Sequence, residues 1–277
     1  VTLTGADVGA HAVLVNANDI AVTGMRPRWF LATILLPEGV TEDEVRALFS
    51  GMRRMLERHD ILLVGGHSEI TASVRQTVVS GHMLGFAPDG AFLRTSDIGA
   101  GDVILQIGPA PVEGAAVLAN EVPDAALAIP PVLLQAAQNA LKEPGISVVE
   151  AALSATALGA RALHDPTEGG LSTGLYEMAE AAGLALQLNE EAVLWFEPGT
   201  ALCAAIGADP WGMLASGALL AAFPAEHADG ARQALSNDGY LTAAIAHAEP
   251  GSGVCFKNGP ALQRFQRDEM LRVLPGA

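Results

Sequence analysis

HDPTEGGL, at residues 164–171, combines an imidazole, two carboxylates and a glycine pair at the edge of an apolar run. Two other segments have the same character, NANDIA at residues 16–21 and GGHSE at residues 65–69. Carboxylates, imidazoles and glycines are the groups that hold a metal-bound polyphosphate where a chain turns. Three such segments in one chain predict an ATP-using enzyme, or the remnant of one.

The composition describes a folded, acidic protein. Of its 277 residues, 50% are hydrophobic and 17% are charged, which excludes disorder as a description of the whole chain. The net charge of -16 argues against binding to nucleic acid or to an anionic membrane, since both require a basic surface. An acidic protein that binds ATP needs a divalent metal between its carboxylates and the phosphate oxygens. A Walker A site is absent, because neither lysine of the chain, Lys142 or Lys257, follows a glycine-rich loop.

Cysteine usage and hydropathy predict a reduced, cytoplasmic compartment. Cys203 and Cys255 are far apart, and neither lies in a metal-binding spacing. Prolines or charged residues interrupt every long apolar stretch, so we expect no transmembrane helix, and we find no signal peptide. The sequence opens at Val1 rather than at a methionine, and we therefore expect the true N-terminus to lie upstream.

Hydrophobic patterning predicts an α+β fold in two domains. Asp, Gly and Ser punctuate residues 91–101, where we place the boundary between domains 1–93 and 94–277.

The first domain is predicted as strand, helix, strand, strand. Thr41 and Glu44 match the capping box of a helix start. Ile61–Val64 is a continuous apolar run and predicts a fully buried strand. The other two strands are predicted at Trp29–Leu36 and Thr77–Phe86.

The second domain is richer in alanine and leucine. Its predicted helices are Pro131–Lys142, Ser147–Leu163, Glu168–Ala182 and one near Glu226–Ser236. Its predicted strands are Val103–Ile107, Leu184–Leu188, Gly217–Phe223 and Leu241–His247.

Asp19 has two interpretations. It precedes an apolar segment, Ile20–Val22, that resembles the first turn of a short helix, and an Asp in that place caps the helix. Alternatively, Asp19 is a metal ligand, and the neighbouring Asn16 and Asn18 add the carbonyl oxygens that a hard cation prefers.

Gly65 and Gly66 follow the predicted buried strand. Two glycines in that place let the backbone approach a phosphate and direct N–H groups towards it, although an ordinary loop has the same composition. A lone histidine such as His67 is more often a surface residue than a catalytic one. Glu69 has three open roles, as a metal ligand, as a base or as a solvated side chain.

The HDPTEGGL segment is predicted to end one helix and to open the next. Thr167 and Glu168 would occupy N-terminal helix positions, where exposed N–H groups attract anions. Asp165 precedes them and is placed to hold a cation on such an anion. A capping Asp followed by Pro is the alternative, but capping does not need the pair Gly169-Gly170, so a binding role is favoured. Gly108–Gly114 is a further candidate phosphate or substrate loop.

Together these segments resemble a known family. The carrying motifs are Val15–Pro27, Gly65–Glu69 and His164–Leu171, with a further likeness at Arg267–Val273. They resemble the aminoimidazole ribonucleotide synthetase-like (AIR synthase-like, or PurM-like) ATP-binding superfamily, and most closely its HypE-related branch of hydrogenase maturation factors. The resemblance covers nearly the whole chain.

This resemblance implies a fold and a site. The fold would be a dimer-forming N-terminal sheet with packed helices and a C-terminal α/β sandwich, and the protein would be a homodimer. ATP would lie between domains with its phosphates held through Mg2+. The implied metal ligands are Asp19 and Asp165; the implied nucleotide contacts are Asn18, Gly65, Gly66, Thr167, Gly169 and Gly170; the implied catalytic residues are His67, Glu69 and Asp165.

Three departures from the family pattern limit what the resemblance implies. The family normally carries a glycine-rich segment with further aspartates upstream of the position that Val1 occupies here. His67 stands where thiamine-monophosphate kinase-like relatives have Asp, and an imidazole is a poor Mg2+ ligand. Leu274 falls where HypE is expected to carry the terminal cysteine that accepts a carbamoyl group.

The predicted function is therefore ATP- and Mg2+-dependent activation of an amide, carbonyl or related acceptor by phosphoryl transfer, without chemistry on a C-terminal cysteine. The acceptor is a small molecule or is borne by a protein. Two alternatives stay open. One is a small-molecule kinase resembling thiamine-monophosphate kinase, and the other is a non-catalytic nucleotide-binding assembly factor.

Overall fold

A computed structural model describes residues 7–121, 129–257 and 259–273. The chain divides into two compact units. The first unit comprises Val1–Ala21 and Met25–Phe92, and the second comprises Val22–Gly24 and Leu93–Ala277.

The first unit is a three-stranded sheet with two helices. Its elements are α1 (Val8–Ala21), β1 (Pro27–Leu36), α2 (Glu42–Arg58), β2 (Leu62–Ile70) and β3 (Val78–Gly85). The central strand β1 is parallel to β2 and antiparallel to β3. Along β1 alternate residues are buried, and these buried side chains are Phe30, Ala32, Ile34 and Leu36. Both helices contact this sheet. On the opposite face, which we call the open face, the alternate β1 residues Trp29, Leu31, Thr33 and Leu35 are half-buried or exposed.

Helix α2 of the first unit begins at a defined cap. Thr41 and Glu44 form the predicted capping box at the start of α2, which is confirmed. The two helices approach each other closely at Gly9 and Gly51. A Cβ at Gly9 would overlap the carbonyl of Leu48, so only glycine permits this crossing.

Two predictions for the first unit are wrong. Ile61–Val64 was expected to be buried, but the strand is longer, lies at the sheet edge and is exposed at every residue, with Leu62 62% exposed. A continuous apolar run predicts burial only when another layer covers the strand. The short helix expected after Asp19 is also wrong, because α1 ends at Ala21 after 14 residues. Apart from His11, its start, VGAHAVLV, is apolar on every side and shows no helical periodicity.

The second unit contains a six-stranded sheet in the order β5-β7-β4-β8-β6-β9. Of the strand pairs in the described part of this sheet, β6–β9 is parallel and the others are antiparallel. The strands are β4 (Val103–Ile107), β5 (Ala162–His164), β6 (Leu184–Leu188), β7 (Leu219–Phe223), β8 (Thr242–Pro250) and β9 (Gly253–Phe256). The helices are α3 (Val112–Glu121), α4 (Pro131–Gln138), α5 (Val149–Ala157), α6 (Gly170–Ala182), α7 (Glu197–Ile206), α8 (Ala225–Asn237) and α9 (Glu269–Val273).

Helix α6 follows the HDPTEGGL segment and packs into the core of the second unit. Its apolar side chains Leu171, Leu175 and Met178 are fully buried in a cluster with residues of the sheet. A second cluster joins α3, α4 and α7. The position of α6 is therefore fixed by its packing, and so is the turn that precedes it.

Most predicted elements of the second unit are present, with boundaries that differ. The helix expected over Ser147–Leu163 stops at Ala157, because Gly159 adopts a φ of +91° and the chain then enters β5. The helix expected over Pro131–Lys142 ends at Gln138 and is followed by a π-helical turn. Helices α7 and α9 and strands β5 and β9 were not predicted. Within the described ranges, no helix is both long and apolar enough to cross a membrane. The prediction for Leu274 lies outside the described residues.

Candidate functional site

The loop between β5 and α6, Asp165–Gly169, contains most of the HDPTEGGL segment and is called the β5–α6 loop below. Gly169 and Gly170 both adopt left-handed conformations, with φ of +81° and +67°. A Cβ at Gly170 would overlap the carbonyl oxygen of Trp211 and would stand 2.8 Å from that of Met213. The glycine pair is therefore needed for a turn that packs directly against the backbone of residues 211–213.

The amides of both glycines are hydrogen-bonded inside the protein. The N–H of Gly169 donates to Oδ2 of Asp268 at 2.7 Å, and the N–H of Gly170 donates to the carbonyl of Thr167 at 3.1 Å. We expected these glycines to line a phosphate path, and in this structure the amides of both have protein acceptors. A contact between this loop and phosphate would therefore depend on its side chains.

Thr167 and Glu168 precede α6 rather than belonging to it. The helix begins at Gly170 with Gly169 as its N-cap, so the predicted N-terminal helix positions for these two residues are wrong. Both side chains are exposed. The carbonyl of Thr167 accepts hydrogen bonds from Gly170 and Ala215, which fixes the backbone beneath the exposed side chains.

Asp165 follows β5 directly and is half-buried. The residues beside it are anchored to α6. Nε2 of His164 lies 2.9 Å from Oε2 of Glu177, and Pro166 packs against Gly174. The hydrogen bond from His164 holds the pKa of Glu177 below its usual value, against the opposing effect of partial burial. The two neighbours of Asp165 in the chain are thus both in contact with α6.

Asp268 is a residue of this region to which we assigned no role from sequence. It is only 7% exposed and accepts the N–H groups of Gly169 and Met270, each at 2.7 Å. Burial raises its pKa, although the hydrogen bonds from Gly169, Met270 and Leu214 act in the opposite direction. The sequence signal for it was an Asp directly before a short helix, α9, which is typical of a cap.

Gly170–Gly174 reads GLSTG and so matches the G-x-S-x-G pattern of a hydrolase nucleophile. The structure excludes that role for Ser172. Its side chain is fully buried in α6 and donates to the carbonyl of Gln263 at 2.5 Å. A nucleophilic serine has to be exposed at the turn between strand and helix.

The Gly108–Gly114 segment is also packed internally. The N–H groups of Gly108, Ala110 and Gly114 donate to backbone carbonyls, that of Gly114 to Leu214. The buried side chain of Gln106 donates to the carbonyls of Gly108 and Leu194 and accepts the N–H of Leu194. This segment is therefore part of the framework around residues 211–215, and its role as a phosphate loop stays a prediction.

In the first unit, Asn18 and Asp19 lie in the last turn of α1. Asn18 is buried, whereas Asp19 is in contact with solvent. An acid at the C-terminal end of a helix faces the negative end of the helix dipole and costs about 0.3–1 kcal/mol. The capping interpretation of Asp19 is therefore wrong. Desolvation also raises the pKa of Asp19, which disfavours its charged form. A bound cation would act in the opposite direction and favour the charged form.

The GGHSE segment lies inside β2 and not in a loop after a strand. Gly66, with a φ of +146°, pairs with Ala32 of β1, and a Cβ there would overlap the Ala32 carbonyl. His67 and Glu69 pair with alternate β1 residues on the open face of the sheet. Nε2 of His67 lies 3.2 Å from Oε2 of Glu69, and both side chains are about half exposed.

The described residues contain no group of three or more His, Cys, Asp or Glu side chains that could hold a metal. Mg2+ is commonly bound by one or two carboxylates, with phosphate oxygens and water as its other ligands. Asp19 and Asp165 each offer a carboxylate for that mode of binding; Asp165 is half-buried, and Asp19 is exposed.

Family models match both parts of the chain. The N-terminal domain of AIR synthase related proteins matches residues 1–87, and the C-terminal domain matches residues 99–255. The chain belongs to the AIR synthase-related family. The predicted resemblance and the two-domain α+β, PurM-like fold are thereby confirmed.

Curated relatives of the chain are hydrogenase maturation proteins. The chain is 30% identical to carbamoyl dehydratase HypE of Rhodobacter capsulatus over 85% of its own length and 67% of that protein. It is 28% identical to carbamoyl dehydratase HypE of Azotobacter vinelandii over 83% of its length and 66% of that protein. The chain thus spans about two thirds of the length of these relatives.

Solved structures share the fold. HypE in complex with ATP has a TM-score of 0.78 at 20% identity, covering 95% of this chain and 81% of that one. Thiamine monophosphate kinase from Aquifex aeolicus has a TM-score of 0.72 at 19% identity, covering 92% of this chain and 82% of that one.

Proposed function

We propose that this member of the AIR synthase-related family is an ATP- and Mg2+-dependent enzyme that phosphorylates the oxygen of an amide, carbonyl or related acceptor. The observation that carries the proposal is the 30% identity to a carbamoyl dehydratase HypE, which extends over both family domains. HypE has also been solved in complex with ATP.

In this proposal Asp165 and Asp19 are the metal ligands. Asp165 lies between the end of β5 and Pro166, whose ring restricts the backbone after it. Bound Mg2+ would neutralise the charge of the phosphates. Phosphoryl transfer requires mainly positioning and charge neutralisation, so carboxylate-held metal is sufficient without a Walker lysine.

The nucleotide contacts that we propose are Asn18, Gly65, Gly66, Thr167, Gly169 and Gly170. Thr167 has an exposed hydroxyl in the β5–α6 loop, which suits it for contact with a phosphate oxygen. Gly169 and Gly170 would contribute shape rather than N–H groups, since their amides are already bonded.

We assign His67 and Glu69 to proton transfer. Their 3.2 Å separation orients the imidazole, and a carboxylate-paired imidazole is suited to accept a proton from the attacking group. In the complete step, the acceptor oxygen would form a bond to the γ-phosphorus, the bond to the β–γ bridging oxygen would break, and ADP would leave. The proton lost by the acceptor would pass to His67.

We further propose that the protein is a homodimer formed through the first sheet. Among the described strands, β2 pairs with β1 alone, and its apolar residues Leu62, Leu63, Val64 and Ile70 are exposed. An apolar groove of about 360 Å³ between α2 and β2 adjoins them. A long apolar edge strand is a liability for a monomer, and a second copy would cover it.

Titration calorimetry with ATP tests the proposed function. Binding in the presence of Mg2+ that is lost with EDTA is expected, together with release of ADP when the acceptor is supplied. No binding of Mg-ATP by the protein would contradict the proposal.

The small-molecule kinase is the second candidate, and the fold shared with thiamine monophosphate kinase favours it. Analysis of the product separates the two. A stable phosphate ester or diphosphate indicates the kinase, whereas dehydration of the acceptor with release of inorganic phosphate indicates acceptor activation. The third candidate, a nucleotide-binding assembly factor, is favoured by His67 in place of an Asp, and it predicts binding without turnover.

A further inference from the structure

The last described segment of the chain, Leu262–Val273, lies across α6 and the residues that contact the β5–α6 loop; we call it the strap. Its backbone accepts hydrogen bonds from two α6 side chains. Tyr176 donates to the carbonyl of Leu262 at 2.7 Å, and Ser172 donates to that of Gln263 at 2.5 Å. The strap is therefore bound to the helix that begins at Gly170.

Further contacts fix the rest of the strap. Arg264 forms two hydrogen bonds with the carboxylate of Glu180, at 2.5 and 3.2 Å. The ring of Phe265 lies so close to Gly212 that a Cβ there would stand 2.5 Å from it. At the far end, Glu269 accepts the N–H of Asp209 at 2.9 Å. These contacts hold the strap against α6 and against residues 209–214.

Asp268 is the point at which the strap contacts the β5–α6 loop itself. One carboxylate oxygen accepts the N–H of Gly169, and the other accepts the N–H of Met270 within the strap. Because Asp268 is 7% exposed, water cannot readily replace it as the acceptor for Gly169. The left-handed conformation of Gly169 and the start of α6 are thus tied to a residue 99 positions later.

We propose that Asp268 is a positioning residue for the nucleotide site: by holding the N–H of Gly169, it sets the β5–α6 loop that carries Asp165 and Thr167. This inference rests on the proposed function for its effect on nucleotide binding. It assigns no contact between Asp268 and the nucleotide.

Asp102 provides a matched control in the same unit. It is also a buried carboxylate that accepts a glycine amide, from Gly99 at 2.7 Å, and it accepts Nη1 of Arg161 at 3.0 Å. Arg161 precedes β5, whereas Asp165 follows it. Asp102 therefore fixes the opposite end of the same strand, and its loss tests for a general effect of removing a buried carboxylate.

The experiment compares Asp268→Asn, Asp268→Ala and Asp102→Asn in the full chain. Asparagine keeps one acceptor oxygen but turns an NH2 group towards the N–H donors, so it removes part of the interaction, and alanine removes all of it. Residues that do not touch a bound metal but orient the groups that do typically contribute about 10- to 100-fold to metal affinity or activity. We expect Mg-ATP binding to weaken by that factor in Asp268→Asn and by more in Asp268→Ala. Binding by Asp102→Asn should stay within about twofold of the parent.

Amide hydrogen exchange measured without nucleotide gives a second readout. In Asp268→Asn, exchange at Gly169 should accelerate by roughly tenfold or more, with little change at Gly99, and Asp102→Asn should show the reverse pattern. Unchanged exchange at Gly169, or equal loss of Mg-ATP affinity in Asp268→Asn and Asp102→Asn, would overturn the proposal. If the parent does not bind Mg-ATP, the proposed function fails, and exchange at Gly169 still decides whether Asp268 sets the loop.

Discussion

The imidazole of His164 and the carboxylate of Glu177 lie 2.9 Å apart and connect the end of β5 to α6. His164 directly precedes Asp165, so this pair is one of the contacts that fix the candidate metal ligand in place. The hydrogen bond with His164 lowers the pKa of Glu177. A lowered carboxyl pKa stabilises the fold above the pKa of the unfolded chain, and this contribution is lost as the pH falls through the pKa of the folded state.

Glu177→Gln should therefore destabilise the protein at neutral pH and have little effect in acid. The Glu177 side chain is 54% exposed, so we expect a loss of at most about 1 kcal/mol in the free energy of unfolding at pH 6–7. The difference between parent and variant should shrink as the pH falls through the lowered pKa of Glu177. Urea denaturation at several pH values measures it, and a pH-independent difference would contradict this account.

Gly170→Ala should destabilise the protein strongly. The left-handed conformation costs a non-glycine residue about 1–2 kcal/mol, and here the new Cβ also overlaps the Trp211 carbonyl. Gly183→Ala is the matched control, because Gly183 has a φ of +65° and nothing lies within 4 Å of its added Cβ. The excess loss of stability in Gly170→Ala over Gly183→Ala measures the steric effect. Equal losses of stability would show that the backbone can shift to relieve the overlap with the Trp211 carbonyl.

The features that the sequence predicted correctly depend on local signals. The capping box at Thr41 needs only residues three apart, and β4 was predicted at its observed bounds because a short apolar run ends there at Gly108. The position of Asp165 at a junction between two elements was also readable, because Pro and two Gly follow it. The element predicted directly before that junction was a helix, and this prediction was wrong. The structure has the strand β5 there, which has only three residues and follows an alanine-rich helix.

The features that were missed depend on residues far apart in the chain. Burial of Leu62 and Leu63 could not be judged from their own hydrophobicity, because it depends on whether another layer covers β2. The acceptor for Gly169 is Asp268, 99 residues away, so the sequence near Gly169 could not show that its amide is occupied. Local patterns locate the turn, but only tertiary contacts decide which of its groups face a ligand.

The two cysteines should differ sharply in reactivity. Burial raises the pKa of Cys203 to about 12, whereas Cys255 is exposed. A thiol reacts as its thiolate, so one equivalent of Ellman's reagent should be consumed rapidly by the folded protein at pH 8. A second equivalent, which reacts with the buried Cys203, should be consumed only in denaturant. Cys255→Ser should abolish the rapid phase, and a rapid phase that survives this change would place the reactive thiol at Cys203.

Leu62→Glu should convert a dimer into a monomer, since it puts a charge on the open sheet edge that we propose as the interface. Leu241→Glu is the matched control, because Leu241 lies in the second unit and is 63% exposed against 62% for Leu62. Sedimentation equilibrium should give a dimer for the parent and for Leu241→Glu. A dimer that persists in Leu62→Glu, or a monomeric parent, would rule out this interface.

Asp165→Asn should weaken Mg-ATP binding by at least about 100-fold, the upper end of what residues outside the ligand layer contribute. The amide removes the charge that a divalent cation requires and preserves the size of the side chain. The control is Glu168→Gln, which removes one negative charge from an exposed residue of the same loop. If a metal ligand is lost, affinity for Mg-ATP falls in Asp165→Asn alone, and raising the Mg2+ concentration partly restores it. An equal change in both variants would show that only the net charge of the loop matters, and Asp165 would then not be a metal ligand.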